Sequence, residues 1–319
     1  LCDEDAVLVS IKKWYVNTRS VQARTIASTL VAAVGDTIAI TVKNCMKIQV
    51  GYEMIYGFPQ ATPVVLMVNV HPSREGDLES PDQLITDPAV PFHQYLDSFG
   101  NRCTRLVAPA GTIKFQAFGV VRDNGEADPA IKDAIQHPVG ELPDDTLQFL
   151  LASRYCETEL LSQTAWNLFG NTKPGWERVQ AICDWVNNHI RFSYPNARPT
   201  RTAYEAFTEQ SGVCRDFTHL SVAFCRCMNI PARYCTGYLS DIDVPPPYTA
   251  MDFAAWFEAY IGGAWHMFDP RNNVPRKGRV VMAKGRDAAD VAIATTFGPH
   301  WLEKFVVYTD EMKTSASAS

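Results

Sequence analysis

The chain has no excess of positive charge. Its 319 residues carry 29 Lys plus Arg against 35 Asp plus Glu, a formal net charge of -6. Without a basic field there is nothing to hold a polyanion, so nucleic acid is not an expected partner. Long apolar runs are also scarce. The longest candidate, TIASTLVAAVGDTIAITV, is interrupted by Gly35 and Asp36. It is too broken for a membrane-spanning helix and lacks the order and cleavage site of a secretory signal, so no membrane association is expected. The nine cysteines are odd in number and have no zinc-finger spacing. Cys225 and Cys227, two apart on one helix, suit neither a disulfide nor a metal pair and read as core residues. The scatter points to a reducing compartment, and the expected location is cytoplasmic. Phosphate loops, dinucleotide fingerprints and metal clusters are missing, so neither cofactor nor metal is expected.

A hydrophobic content of 46% with 20% charged residues fits a soluble globular enzyme with room for one large or two ordinary domains. Residues 1–45 read as an N-terminal extension, non-native or disordered, because the clean strand pattern begins only at Met46 with KIQVGYEMIYGF. Residues 46–140 read as β-rich, with TPVVLMVNVHP, RCTRLVAPAG and TIKFQAFGVVRD as further strands of a small sandwich or half-barrel. HPVGELP is the linker. Residues 141–298 read as a core with C-terminal strands, opening on helices at 144–156, at 159–168 and through GWERVQAICDWVNNHIRFSY. In the last of these Val179, Ile182, Val186 and Ile190 form one apolar stripe. Residues 299–319 read as a tail whose end is disordered.

The stretch that organises the core is SGVCRDFTHLSVAFCRCMNIPAR, residues 211–233. Gly212 gives a sharp turn, Ser211 is a candidate cap, and Phe217, Leu220, Phe224 and Met228 recur at helical spacing until Pro231 stops the helix. Cys214 falls in the first turn, where free N–H groups favour a thiolate. Asp216 suits a cap or the dipole. His219, five residues on, is turned away from Cys214 and reads as structural. Downstream, FAAWFEAYI, Gly262-Gly263 and AWHMFDP form a hairpin with a two-residue turn. Its register sets Ile261 opposite Ala264 and Tyr260 opposite Trp265, with Ala254, Trp256 and Asp269 on one face and His266 on the other. Arg276, Lys277, Arg279, Lys284 and Arg286 form a basic stripe, read as a solvated edge in preference to a contact for an acidic substrate.

The segments GVCRDFTHLSVAFCRCMNIPARYCTGYL and AWFEAYIGGAWHMFDPRN resemble the bacterial transglutaminase-like superfamily, over roughly Leu151–Asn273. The resemblance implies an α+β fold, a papain-like transglutaminase core preceded by an N-terminal β-rich domain. It implies a Cys–His–Asp triad in which Cys214 is the nucleophile and Asp269 the orienting carboxylate. The histidine would stand at residue 254, diagonal to Asp269 across the hairpin, and here that residue is Ala254. Trp256 and Tyr238 would line the substrate cleft. The expected partner is a peptide or protein substrate, and the sequence leaves the oligomeric state open. The expected activity is thiol acyl transfer or amide hydrolysis through a Cys214 acyl-enzyme. The alternative is a catalytically degenerate pseudoenzyme that serves as a peptide-binding module.

Overall fold

The computed structural model describes residues 46–246 and 252–312. The expectations for residues 1–45 and for the extreme C-terminus lie outside the described residues, as does part of the proline-rich loop that follows Ser240. Strands come first: β1 (Met46–Phe58), β2 (Thr62–Leu66), β3 (Leu78–Ser80), β4 (Ile85–Asp87), β5 (Phe92–Leu96), β6 (Arg102–Ala108) and β7 (Gly111–Asp123). Helices α1 (Asp144–Leu147), α2 (Thr158–Phe169) and α3 (Trp176–His189) follow. Then come strand β8 (Arg191–Phe192), helix α4 (Ala203–Glu209), strand β9 (Ser211–Gly212) and helix α5 (Cys214–Cys227). Strands β10 (Ala232–Leu239), β11 (Ala254–Ile261), β12 (Ala264–Phe268), β13 (Arg279–Gly285), β14 (Ala294–Thr296) and β15 (Trp301–Glu311) complete the order. This is the α+β architecture expected from the sequence.

In β1 the alternation read from the sequence is that of a strand with one fully covered face: Ile48, Val50, Tyr52 and Met54 are all 0% exposed. β1 lies between β15 and β7, with β3 and β4 pairing on the far edge of β7. A second sheet runs β14-β2-β6-β5 and a third β12-β11-β10-β13. The tail reading of residues 299–319 is corrected here. WLEKFVVYTDE is a strand that pairs with β1 from Ile48↔Glu311 to Gly57↔Trp301. Likewise β14, assigned by sequence to the core, pairs with β2 of the N-terminal sheets. A lone edge strand with unpaired N–H groups does not announce its partner when that partner is more than 200 residues away. One apolar cluster runs from β1, β2, β6 and β7 to Tyr238, Phe253, Val280 and Met282, so the N-terminal sheets and the third sheet share a core.

The helix expected at 144–156 is cut short. α1 ends at Leu147, and the chain turns so that Ser153 and Cys156 form a β-bridge. Arg226, 3% exposed, holds that turn by donating from Nη1 to the Leu151 carbonyl at 3.0 Å and to Ser153 Oγ at 3.0 Å. Tertiary hydrogen bonds here override a local helical pattern. α2 and α3 form close to their predicted positions. Val179, Ile182 and Val186 of the α3 stripe are 0% exposed against α5.

The hairpin register is as read: Ile261↔Ala264, Tyr260↔Trp265 and Ala259↔His266. Both turn glycines have positive φ, 61° and 79°, which a two-residue turn of this hand requires. Phe257, Ala259 and Ile261 pack onto α5 and so anchor the nucleophile helix to the third sheet.

Candidate functional site

Cys214 is the first residue of α5 and is partly exposed. Ser211 does not cap the helix. It pairs in β9 with Arg191 of β8, and its hydroxyl accepts from Asn196 Nδ2 at 3.0 Å. The cap is Asp216, 0% exposed, whose Oδ2 accepts from the Val213 N–H at 2.8 Å and pairs with Arg201 at 3.2 Å. Gly212 is needed for space, since a Cβ there would stand 2.5 Å from Asp216 Oδ2.

The side chain of Cys214 packs against Tyr234, Ala255 and Ala283. Burial pushes its thiol up to about 11, and the Asp252 charge adds to the rise. Main-chain N–H groups of Ala255 and Arg215 pull the other way without offsetting it. The helix-start argument from sequence therefore gives the wrong sign. The N–H just before the helix, that of Val213, is already spent on Asp216, and desolvation of the thiolate outweighs the dipole.

Asp269 follows the last residue of β12 and is 8% exposed. Its Oδ1 accepts from the N–H groups of Arg271 at 3.1 Å and Asn272 at 3.0 Å. Its Oδ2 accepts from Asn272 Nδ2 at 2.7 Å and Arg279 Nη2 at 3.0 Å. A carboxylate offers about four acceptor positions, and here all are occupied. Ala254 opens β11 opposite Gly237, and its carbonyl accepts from Thr236 Oγ1 at 3.1 Å. A histidine at this position would find no free acceptor on Asp269. Ala254→His is therefore expected to leave the alkylation rate of Cys214 unchanged, as measured by mass spectrometry against pH; a profile moved to lower pH would mean that Asp269 releases a partner for the ring.

The two residues assigned to the cleft wall are buried. Trp256 is 0% exposed, with the Arg279 guanidinium 4.8 Å from its ring centre. The alternation that sets Ala255 against Cys214 turns Trp256 to the opposite face of the strand. Tyr238 is 1% exposed, edge-on to Phe253 at 5.2 Å, and has no free face for a ligand.

Sequence reasoning missed Arg279. Its side chain is 2% exposed and bridges Asp128 and Asp269, each at 3.0 Å. The whole basic stripe is partnered: Arg276 with Asp241, Lys277 with Asp243, Lys284 with Glu258, and Arg286 with Asp290. The reading of a solvated edge is corrected for Arg276, Arg279 and Lys284, whose side chains are largely buried, while Lys277 and Arg286 remain partly exposed beside the edge strand β13. Asp128 lies in an irregular segment with no motif, 151 residues from Arg279, so nothing local could have revealed the pair.

Four of the histidines are engaged elsewhere. His219 is 0% exposed, stacked on Tyr155 at 5.1 Å, and its Nε2 accepts from the Ala288 N–H at 3.1 Å. His189 bonds the Phe207 carbonyl at 2.7 Å, His93 stacks on Tyr95, and His266 faces Trp176. Burial, with Arg215 and Arg226 adding to it, holds His219 well below the usual imidazole range, so it is neutral. As pH falls below about 6.5 the unfolded chain takes up a proton there that the folded chain refuses. Stability contributed by neutral His219 is thus complete above that pH and lost below it. His219→Gln should make stability fall less steeply as pH drops from about 6.5 to about 5, because the replacement takes up no proton in either state. Parallel urea midpoints for the two proteins across that window would count against a neutral, buried ring.

Among the described residues no group of three or more His, Cys, Asp or Glu side chains could hold a metal ion. Likewise, no described helix is long and apolar enough to cross a membrane.

The sequence model of the transglutaminase-like superfamily matches residues 162–270, a span that contains both Cys214 and Asp269. A solved structure of a candidate cysteine protease from Cytophaga hutchinsonii is 32% identical and superposes with a TM-score of 0.74, covering 86% of this chain and 93% of that one. An uncharacterized protein of Mycobacterium leprae (strain TN) is 32% identical over 118 residues. The match takes in 36% of this chain and spans 42% of that curated relative's length.

Proposed function

The chain belongs to the transglutaminase-like superfamily, and on that premise we propose that its Cys214 site binds peptide or protein segments without triad-driven turnover. The family scaffold supports thiol-dependent acyl transfer or amide hydrolysis, reactions that need a thiolate, a base and a carboxylate to orient the base. The observation that carries the reading is the state of Asp269. Its acceptor positions go to Arg271, Asn272 and Arg279, and the neighbouring position is Ala254. A thiol pushed up to about 11 adds to this. Loss of one triad member commonly costs about three or more powers of ten in rate.

A second reading has its own observation. Cys214 is partly exposed at a helix start, with the Ala255 and Arg215 N–H groups directed at its sulfur. Such donors would stabilise a thiolate, or the oxyanion of an attacked carbonyl, if a bound ligand supplied the base. The experiment compares the parent with Cys214→Ala on glutamine-containing peptides, following ammonia release and binding together. Binding by both proteins with no release above background supports the binding site. Release that disappears in Cys214→Ala selects the acyl-transfer reading.

A further inference from the structure

A cavity of about 250 Å³ lies between α3, the end of β12 and the segment around Asp128. Cys214, Ala254 and Trp256 are not part of its lining. Its walls are apolar: Trp176 from α3, Phe268 from β12, and Val274 and Pro275 from the loop beyond. The Trp176 and Phe268 rings lie 4.6 Å apart between centres, tilted by 44°.

The polar groups at this cavity are mostly spent. Asp128 accepts from Arg279 at 3.0 Å and from the Arg276 N–H at 3.1 Å. Asp269 is fully engaged, as described above. Gln180 donates through Nε2 to Asp184 at 2.9 Å and to Asn273 Oδ1 at 3.0 Å. Asn273 Nδ2 is bonded to Asp184 at 2.8 Å. What remains is Lys132, an exposed lining residue whose ammonium makes no hydrogen bond or ion pair among the described residues. The Gln180 carbonyl also stays available as an acceptor.

A cation without a partner beside aromatic and aliphatic walls suits an organic anion with a flat apolar body. The volume falls just below the roughly 300–1,000 Å³ of drug-sized sites, so the occupant is fragment-sized, too small to be a folded peptide segment. We propose that this cavity is a binding site for a small monocarboxylate, with its carboxylate on Lys132 and its apolar body against Trp176 and Phe268. A charge-assisted hydrogen bond from Lys132 fixes the head group, and displacement of water from the apolar walls supplies the remaining affinity.

Isothermal titration of the full chain with benzoate, phenylacetate and 3-phenylpropanoate tests this directly. At least one should bind saturably at one site. The matched cation 3-phenylpropan-1-amine should bind at least about tenfold more weakly, and Lys132→Glu should weaken the acid by about tenfold or more. Val274→Trp, which crowds the mouth of the cavity from a half-exposed position, should weaken binding by severalfold or more, with circular dichroism and the melting temperature checking that the fold is kept. Should Val274→Trp fail to fold, Val274→Met provides a milder filling and should weaken binding by severalfold. The proposal is overturned if none of the three acids saturates at millimolar concentration. It is equally overturned if acid and amine bind alike, if Lys132→Glu leaves affinity unchanged, or if a folded Val274 variant leaves affinity unchanged.

Discussion

Alkylation of Cys214 by iodoacetamide should be slow at neutral pH and should climb about tenfold per pH unit up to about pH 10. The cause is burial, which pushes the thiol up to about 11, with the Asp252 charge adding to it. At pH 7 roughly one Cys214 in ten thousand is then a thiolate, about a hundredfold fewer than for an ordinary thiol near 9. The sign follows from desolvation: the charged form loses water that the neutral thiol hardly needs. Asp252→Asn should shift the climb toward lower pH, because it removes the second cause of the rise. Peptide mapping at several pH values gives the profile for Cys214 separately from the other cysteines. A plateau reached below pH 8 would mean that the helix start and its N–H donors outweigh burial.

The other large effect concerns stability. Arg279→Met should destabilise the fold by roughly 3–5 kcal/mol, because it strands two carboxylates that the guanidinium bridges. Asp269 has a side chain 4% exposed and Asp128 one 17% exposed, so water can offset little of the loss at Asp269. The stack on Trp256 goes as well, exposing the face of a wholly buried ring. Adding Asp269→Asn to Arg279→Met should recover part of the loss, since a neutral amide tolerates the missing cation. Urea midpoints with unchanged slopes would measure it. A loss below about 1 kcal/mol would assign the pair to the class of weak surface bridges, against its burial.

Much of this fold is legible wherever the sequence pattern is local. Gly262-Gly263 between alternating runs fixes the hairpin register, and the α3 stripe and the start of α5 at Cys214 follow from spacing. The sequence is silent where pairing is distant. β15 gives no sign that it completes the sheet beside β1, and Arg226 stops the 144–156 helix from a position some 75 residues downstream. At the site the same division applies. Cys214, Ala254 and Asp269 can be located from motifs. The engagement of Asp269 depends on Arg279, which along the chain reads as one more basic residue in a stripe. Trp256 and Tyr238 show the converse: large aromatic side chains near a motif suggest a cleft wall, and burial makes both of them core. Hydrophobicity alone does not distinguish the lining of a groove from the packing beneath it.

The most direct measurement of the account is a search for the acyl-enzyme. The parent protein is incubated at pH 7.5 with a glutamine-containing peptide, quenched in acid and weighed intact, with Cys214→Ala alongside. A site whose thiol is held neutral and whose carboxylate is engaged by Arg279 should give identical unmodified masses for the two proteins, while equilibrium titration still detects the peptide bound. A peptide adduct on the parent that is missing from Cys214→Ala, and that forms within seconds of mixing, would contradict the account and establish a catalytic thiol.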